Sequence, residues 1–544
     1  MPTIEVSRKD LEQLIGKKLP EDLDETFSKI KAEIEKEQGD ALTIELNDTN
    51  RVDLWSVEGI ARELKGHLGV EEGVPRYKAR KSNHMINAGV VPVRPYIAAC
   101  VVKGVQLSDE VIKQLMQFQD KIDSTYGRMR KKTSIGLYDF DAVTFPLNYE
   151  LASPDTEFTP LGFAQKMSLD KILKKHPKGI LYGYILEGHE KLPLFTDASG
   201  KILSMPPIIN SNDLGCVKPE HKNVLVEVTG TNEDAVKNVL ALISSTLQDR
   251  GGTLYEVTIK YENRRNVTPV FEYPSIRIKP EEINEKLGLE LKSEEIEKLL
   301  RKLRYNAFIR GSGIDVQVPC YRVDVLHTVD VIEDVAIAYG YNNIQPEMPK
   351  SYTTGGLSKT TRRLRLFRRL FTNIGCQEVR NMVFTTPEKL FKNMGEKPRK
   401  LVEVENPVNE SFTCLRNNLL PGLIATLSKN THSEYPQKIF ETGKVVVPDT
   451  GDTGSRTILS SAMAIASSDT DFSQIKQHFE WLAQAMSLKY SLKPCKKNWF
   501  IKGRSAEIIV DKKTVGYFGE INPEVLEMNQ ISMPVTGLEM ISHG

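Results

Sequence analysis

Two groups of side chains in this sequence are of types and spacings that could do chemistry. The first is acidic: Asp324, Asp330, Glu333 and Asp334, within VPCYRVDVLHTVDVIEDVAIAYGYNNI at residues 318–344. A strand-like run passes through Asp324, and a helix is expected to begin near Val329. Asp330, Glu333 and Asp334 then stand at i, i+3 and i+4, share one face and repel one another. Ile332, Val335, Ala336 and Tyr339 make an apolar stripe for packing. A hard cation such as magnesium takes oxygen ligands and would relieve the repulsion. Acids in a first helical turn also suit the helix dipole, so spacing alone leaves both readings open.

The second group is Ser204, Asn210, Glu227 and Thr229, in LPLFTDASGKILSMPPIINSN and NVLVEVTGTNEDAV. Leu192 to Phe195 and Ile202 to Ser204 read as short strands about a turn at Gly200. Pro206 and Pro207 make an extended wall without backbone donors. Val224 to Val228 reads as a buried strand. Glu227 and Thr229, two apart, face one side of it. Hydroxyl, amide and carboxylate groups thus surround an apolar floor. Such a site could place a water and polarise an ester; without a Ser/His/Asp set or an activated cysteine, no covalent intermediate is indicated. A polar-rimmed sheet edge is the plainer alternative.

The elements that must position these groups belong to a chain of 544 residues, enough for roughly three to five domains. The formal net charge is +1, which excludes a polycation that coats nucleic acid by bulk charge. Six scattered cysteines, with no CxxC, argue against zinc and against a disulfide framework. MPTIEVSRKDLEQLIG lacks the apolar stretch of a signal peptide, and no apolar run reaches the length of a membrane span. A cytoplasmic protein is expected.

Residues 1–88 read as an α+β module. Ser7 caps a first helix, a charged helix runs from Leu23 to Glu37, Leu42, Ile44 and Leu46 alternate as a strand, and Ser56 caps a helix from Val57. Residues 89–268 open with VPVRPYIAACVVKGVQL, read as a strand pair, and a helix over Leu107 to Gln119. Arg128, Arg130, Lys131 and Lys132 form a basic cluster, either a solvated face or an RNA contact. Residues 269–345 read as a strand, two helices, strands and the acidic helix. Residues 346–544 begin with an Arg-rich amphipathic helix carrying Leu364, Phe367, Leu370 and Phe371 on its apolar side, followed by a strand over Glu378 to Phe384.

Several of these stretches resemble the beta subunit of phenylalanyl-tRNA synthetase, in order and over essentially the whole chain. RVDV with DVIEDVAIAYGYNNI resembles the signature of its small domain, and NRVDLWSVEGIARE its N-terminal motif, with Val52 in place of a proline. LPLFTD, SMPPIINS and VEVTGT resemble the editing domain of the archaeal and eukaryotic cytosolic type. VENPVNESFTCLRNNLLPGLIATL, YPQKIFETGKVVV and VGYFGEINPEVL resemble its synthetase-like end. The resemblance implies a multidomain α+β fold: an N-terminal module at 1–88, a mixed editing domain at 89–268, a small magnesium-binding domain at 269–345, and a class II synthetase-like antiparallel sheet with helices at 346–544. It implies that Asp324, Asp330, Glu333 and Asp334 bind magnesium close to an alpha subunit. It also implies that Ser204, Asn210, Glu227 and Thr229 form a pocket hydrolysing tRNA mischarged with tyrosine. Glu441-Thr442-Gly443 is followed by Lys444, and a late Gly-rich motif ending in arginine is missing, so ATP and phenylalanine are expected on the alpha chain of an α2β2 heterotetramer that charges tRNA. A free-standing hydrolase and a binding scaffold are the alternative classes.

Overall fold

The computed structural model describes residues 2–349, 351 and 353–542. The chain divides into two compact units, Met1–Met348 and Pro349–Gly544. The break lies close to the boundary expected after residue 345. The three modules expected before it pack together as one unit.

The first unit opens with a three-stranded antiparallel sheet in which Ala41–Leu46 lies between Thr3–Ser7 and Ala32–Gln38. Ser7 caps the helix Arg8–Ile15 through the amide of Asp10, as its position before an amphipathic run requires. The charged run expected as one helix from Leu23 to Glu37 is instead a short helix, Leu23–Ser28, and the strand Ala32–Gln38. Ile34 pairs with Ile44 across the hairpin, and Gly39 turns it at φ 64°. Alternation of Ala32 and Ile34 with charged neighbours fits one buried sheet face, which overrides the helix propensity of Glu and Lys.

A ten-stranded sheet follows. Its order begins Ile209–Asn210, Ile202–Met205, Leu192–Thr196, Leu147–Ala152 and Ala79–Ala88. It continues through Thr253–Lys260, Tyr96–Lys103, Asn223–Gly230 and Thr133–Asp139, and the tenth strand, Arg265–Thr268, pairs with Thr253–Lys260 off this path. VPVRPYIAACVVKGVQL contributes one strand of this sheet, Tyr96–Lys103, rather than the expected pair. Residues 91–94 precede that strand as a turn. The helix Glu233–Asp249 packs Val236, Val239, Leu240 and Ile243 into a core shared with Leu11, Leu42, Ile60 and Leu64 of the N-terminal module. Arg62 Nη2 to Asp249 Oδ2 at 2.6 Å, and Arg250 between Asp10 and Glu58, tie the two modules together. The third module has a small sheet, with Gly313–Gln317 between Ser275–Ile278 and Asn306–Arg310, and the helices Pro280–Leu287, Ser293–Lys302 and Thr328–Tyr339.

The second unit is built on a seven-stranded sheet. Its order is Gln377–Glu378, Gln437–Pro448, Ser455–Ala466, Val535–Ser542, Lys513–Ile521, Phe500–Val510 and Ser491–Pro494. All its pairings are antiparallel except the first. The helix Leu420–Lys429 packs on one face through Leu423, Ile424 and Leu427. Phe371, Ile475 and Phe479, from the helices Lys359–Asn373 and Phe472–Ala485, cover the other. The strand expected over Glu378 to Phe384 is two short pieces, Gln377–Glu378 and Phe384–Thr385, which pair with different partners. Among the described residues no helix is long and apolar enough to cross a membrane.

Candidate functional site

The ten-stranded sheet curls until its two ends meet through side chains. Tyr138 lies on the last strand and Ser204 on the second, yet their hydroxyls are 2.8 Å apart. Asn210 Nδ2 donates to Leu137 O at 3.3 Å, and Asp139 N to Leu214 O at 3.0 Å, across the same seam. Sheet twist and coiling bring edges together in this way, and a ligand cavity at the junction is a natural result. The cavity has a volume of about 380 Å³, and Ser204, Asn210 and Glu227 line it. Its walls are Leu115, Leu137, Met205, Pro206, Pro207 and Ile208. An apolar hole with few convergent polar groups is the usual form of a small-molecule site.

Glu227 closes the polar end. The Tyr138 hydroxyl is 2.9 Å from its Oε2, while Oε1 is buried with no hydrogen-bond partner. Burial pushes this carboxyl up to about 7, against the Tyr138 hydrogen bond and the Arg94 charge. Burial also holds the Tyr138 phenol well above its usual range, so it stays protonated. Its single proton can serve only one acceptor. The phenol is placed to donate to either Ser204 Oγ or Glu227 Oε2, and an ionised Glu227 is the stronger acceptor of the two. Space for this contact comes from Gly136, paired with Glu227 in the sheet. A Cβ at residue 136 would stand 2.3 Å from the Tyr138 hydroxyl and 2.5 Å from Glu227 Oε2.

Thr229 does not line the cavity. It is fully buried behind Glu227, where Arg94 donates from Nε to its Oγ1 at 2.8 Å and from Nη2 to its carbonyl at 2.7 Å. Arg94, itself 0% exposed, also donates to Ser134 Oγ at 2.9 Å and to the Arg130 carbonyl at 2.9 Å. Since Arg94 only donates, Thr229 Oγ1 accepts there, and its own proton is left for the Glu227 carboxylate, which it helps hold down against burial. Thr229 therefore supports the polar end rather than touching what enters. Sequence reasoning missed Tyr138, Arg94 and Gly136. Their one visible signal was an arginine inside an otherwise apolar stretch, VPVRPYIAAC.

Two of the four acids of the third module, Asp324 and Asp334, meet on one guanidinium, and the other two take separate partners. Arg322 grips Asp324 with Nε to Oδ1 at 2.9 Å and Nη2 to Oδ2 at 2.8 Å, and reaches Asp334 Oδ2 at 2.8 Å. Tyr305 also donates to Asp334. Asp330 accepts from the amides of Leu326 at 2.8 Å and His327 at 2.7 Å, capping its helix. Glu333 pairs with Lys31 of the N-terminal module. Among the described residues no three His, Cys, Asp or Glu side chains are grouped to hold a metal ion. The expected magnesium set does not fit this donor arrangement, because an internal guanidinium, backbone amides and a lysine already neutralise the oxygens.

The same clamp recurs in the first module. Arg51 grips Asp53 at 2.9 and 2.8 Å, two residues on, and reaches Glu63 at 3.1 Å, twelve residues on. Asp324 and Asp334 stand at those same separations from Arg322. Each clamp joins an Arg-Val-Asp turn to the helix after it. The pattern was present in the sequence as RVD at 51–53 and at 322–324.

In the second unit several buried polar groups of the sheet are held by internal partners, though Thr442 Oγ1 has none. Arg416 pairs with Glu441 at 2.5 Å and donates to the Lys444 carbonyl at 3.1 Å. Asn381 donates to the other oxygen of Glu441 at 2.9 Å. Glu539 accepts from the amides of Leu419 and Leu420 at 2.8 and 3.0 Å, from Ser460 at 2.7 Å and from Tyr517 at 3.0 Å.

Comparison with known proteins assigns both units to one class. Residues 276–341 match the tRNA synthetase B5 domain, and residues 344–541 match the phenylalanyl tRNA synthetase beta chain CLM domain. These are parts of aminoacyl-tRNA synthetases. The phenylalanine–tRNA ligase beta subunit of Thermococcus onnurineus is 38% identical over 99% of this chain and 98% of its own. That of Archaeoglobus fulgidus is 38% identical over 99% and 98%. A crystal structure of an N-terminal fragment of the Pyrococcus horikoshii phenylalanyl-tRNA synthetase beta subunit covers 62% of this chain and 100% of the fragment, at 37% identity and a TM-score of 0.61. The chain belongs to the phenylalanine–tRNA ligase beta subunits.

Proposed function

We propose that the seam cavity is a proofreading site that hydrolyses tRNA carrying tyrosine in place of phenylalanine. The observation that carries this reading is the buried Glu227 carboxylate, half-partnered by Tyr138, at the end of an apolar cavity. A synthetic site shaped for an apolar ring rejects an isostere with one added hydroxyl only about a hundredfold. A second site built to accept a hydrogen bond from that hydroxyl discriminates in the opposite sense. Glu227 Oε1 is such an acceptor, and the walls from Leu115 to Ile208 hold the ring. The Ser204 hydroxyl is bonded to Tyr138 rather than to an imidazole base, which supports direct attack of water on the ester without a serine-bound intermediate.

In this reading the partner is an alpha chain, in an α2β2 cytoplasmic enzyme, and the alpha chain binds ATP, its magnesium and phenylalanine. The engagement of Arg416 by Glu441, Asn381 and Lys444 supports it: the guanidinium in the second unit is committed to internal partners rather than to a phosphate. The test is co-purification with the alpha chain followed by two assays. The complex should hydrolyse tyrosyl-tRNA and catalyse phenylalanine-dependent pyrophosphate exchange, and this chain alone should show no exchange. Exchange by this chain alone, or a complex inert toward tyrosyl-tRNA, would overturn the proposal.

A further inference from the structure

Of the cysteines scattered along this chain, Cys216 is the one that lines the seam cavity among the described residues. It opens the loop that leads to the strand Asn223–Gly230. It is partly exposed, and its thiol is free. Glu227, in the same cavity, is buried, with Oε1 lacking any hydrogen-bond partner. A buried carboxylate oxygen left open marks a hole that a ligand completes, rather than a packing fault. Cys216 stands nearer solvent than Glu227, on the part of the wall that a ligand passes on its way in. The backbone that enters Cys216 is pressed against the strand Ile209–Asn210: a Cβ at residue 215 would stand 2.3 Å from Asn210 Cβ. Gly215 N also donates to Ser211 O at 3.0 Å. The start of the loop is thereby anchored beside the cavity.

The competing thiols are hidden or slow. Cys100, Cys376 and Cys414 are buried. Cys100 Sγ lies 3.1 Å from Ser244 Oγ, and Cys414 Sγ lies 3.5 Å from Thr385 O. Cys320 and Cys495 are partly exposed, but desolvation pushes Cys320 up to about 11 and raises Cys495 as well. The thiolate, not the thiol, is the nucleophile, so a thiol raised in this way reacts slowly near neutral pH.

We infer that Cys216 is a modification site, at which a small organic disulfide of the glutathione class caps the thiol and closes the seam cavity. The Cys216 thiolate attacks one sulfur of the disulfide. A new S–S bond forms as the old one breaks, and the departing thiolate takes up the proton that Cys216 released. The disulfide is itself the oxidant. The tripeptide tethered at Cys216 then lies across the path to Glu227, and a thiol reductant removes it by the reverse exchange. The consequence for tyrosyl-tRNA rests on the proofreading reading above: the aminoacyl end is barred from the cavity. Charging takes place on the alpha chain in that reading, so the capped complex still charges tRNA but no longer checks it.

The experiment treats the complex with its alpha chain, carrying wild-type, C216A or C216S beta chain, with oxidised glutathione at about pH 8. Each sample is compared with its own untreated control. Peptide mass mapping should find Cys216 capped at least about tenfold faster than any other cysteine of this chain. Deacylation of tyrosyl-tRNA by wild type should fall about tenfold or more as the cap forms and return with dithiothreitol, while phenylalanine charging stays within about twofold. C216A and C216S should each keep their own deacylation rate within about twofold on treatment, which excludes a cysteine of the alpha chain as the cause. Capping of another cysteine of this chain first, full deacylation with Cys216 fully capped, or an equal loss in C216A and C216S overturns the inference. So does a lack of deacylation by both variants before treatment, which would give the thiol a part in the reaction itself. Selective, reversible capping of Cys216 in a complex that does not hydrolyse tyrosyl-tRNA even untreated upholds the modification site and removes the proofreading reading instead.

Discussion

The Tyr138 hydroxyl stands 2.9 Å from Glu227 Oε2 and leaves Oε1 of the same carboxylate buried and unmatched. A polar atom so placed is costly unless something arrives to satisfy it. The geometry therefore orients Glu227 with one oxygen spent and one available. Y138F removes the orienting donor and should leave Glu227 and Ser204 without their shared partner. Loss of a hydrogen bond to a charged group is worth about 1.5–3 kcal/mol. Deacylation of tyrosyl-tRNA should fall by about tenfold or more in Y138F, with a lowered melting temperature. Wild-type activity in a normally folded Y138F would show that Glu227 needs no such support.

The ionisation of Glu227 gives a second prediction. Burial raises its carboxyl from 4.5 to about 7, so the folded state holds the proton more tightly than the unfolded chain. The stability this contributes is complete below about pH 4.5 and is lost as pH rises through about 7. E227Q removes the titration. The unfolding free energy of wild type minus that of E227Q should fall by on the order of 3 kcal/mol from pH 4.5 to pH 8. Urea melts of the two proteins at both pH values measure it, and a constant difference would contradict the buried, half-partnered state. Asp123, also raised to about 7 by burial, shares the sign but is common to both proteins.

Arg322 makes a third prediction. It supplies the positive charge for Asp324 and Asp334. Removing one partner of a buried ion pair costs about 3–5 kcal/mol. R322Q should destabilise the first unit by that order in denaturant melts, whereas prolonged chelation of divalent cations should leave the melting curve of the isolated chain unchanged. A chelator-induced drop of several degrees, or stoichiometric magnesium in the purified chain, would restore a metal to these acids.

Local spacing made parts of this structure readable. Glu227 and Thr229 share a strand face because the side-chain period is two, and Ser7 and Ser56 cap helices where apolar periodicity begins. What spacing could not show was which distant strands meet. Tyr138 reaches Ser204 only because the ends of the large sheet come together, and no local pattern encodes that closure. Thr229 faces the same side as Glu227, yet Arg94 takes up its hydroxyl from a turn far back in the chain. Arg130 sat in a run of cations that looks solvated, and only its left-handed backbone turns it inward. The acids at 324–334 read as a metal cage because charge spacing is visible in sequence. The Arg322 guanidinium between two of them was visible too, but its fold-back onto Asp324 depends on the turn before the helix.

The most direct measurement is the ratio of hydrolysis rates for tyrosyl-tRNA and phenylalanyl-tRNA by the complex, with wild-type beta chain and with E227A. A buried acceptor for the phenol should give wild type a preference for the tyrosyl ester of at least about a hundredfold, and E227A should reduce it below about tenfold. A preference of the same size in both would contradict the central claim that Glu227 is where the extra hydroxyl is recognised.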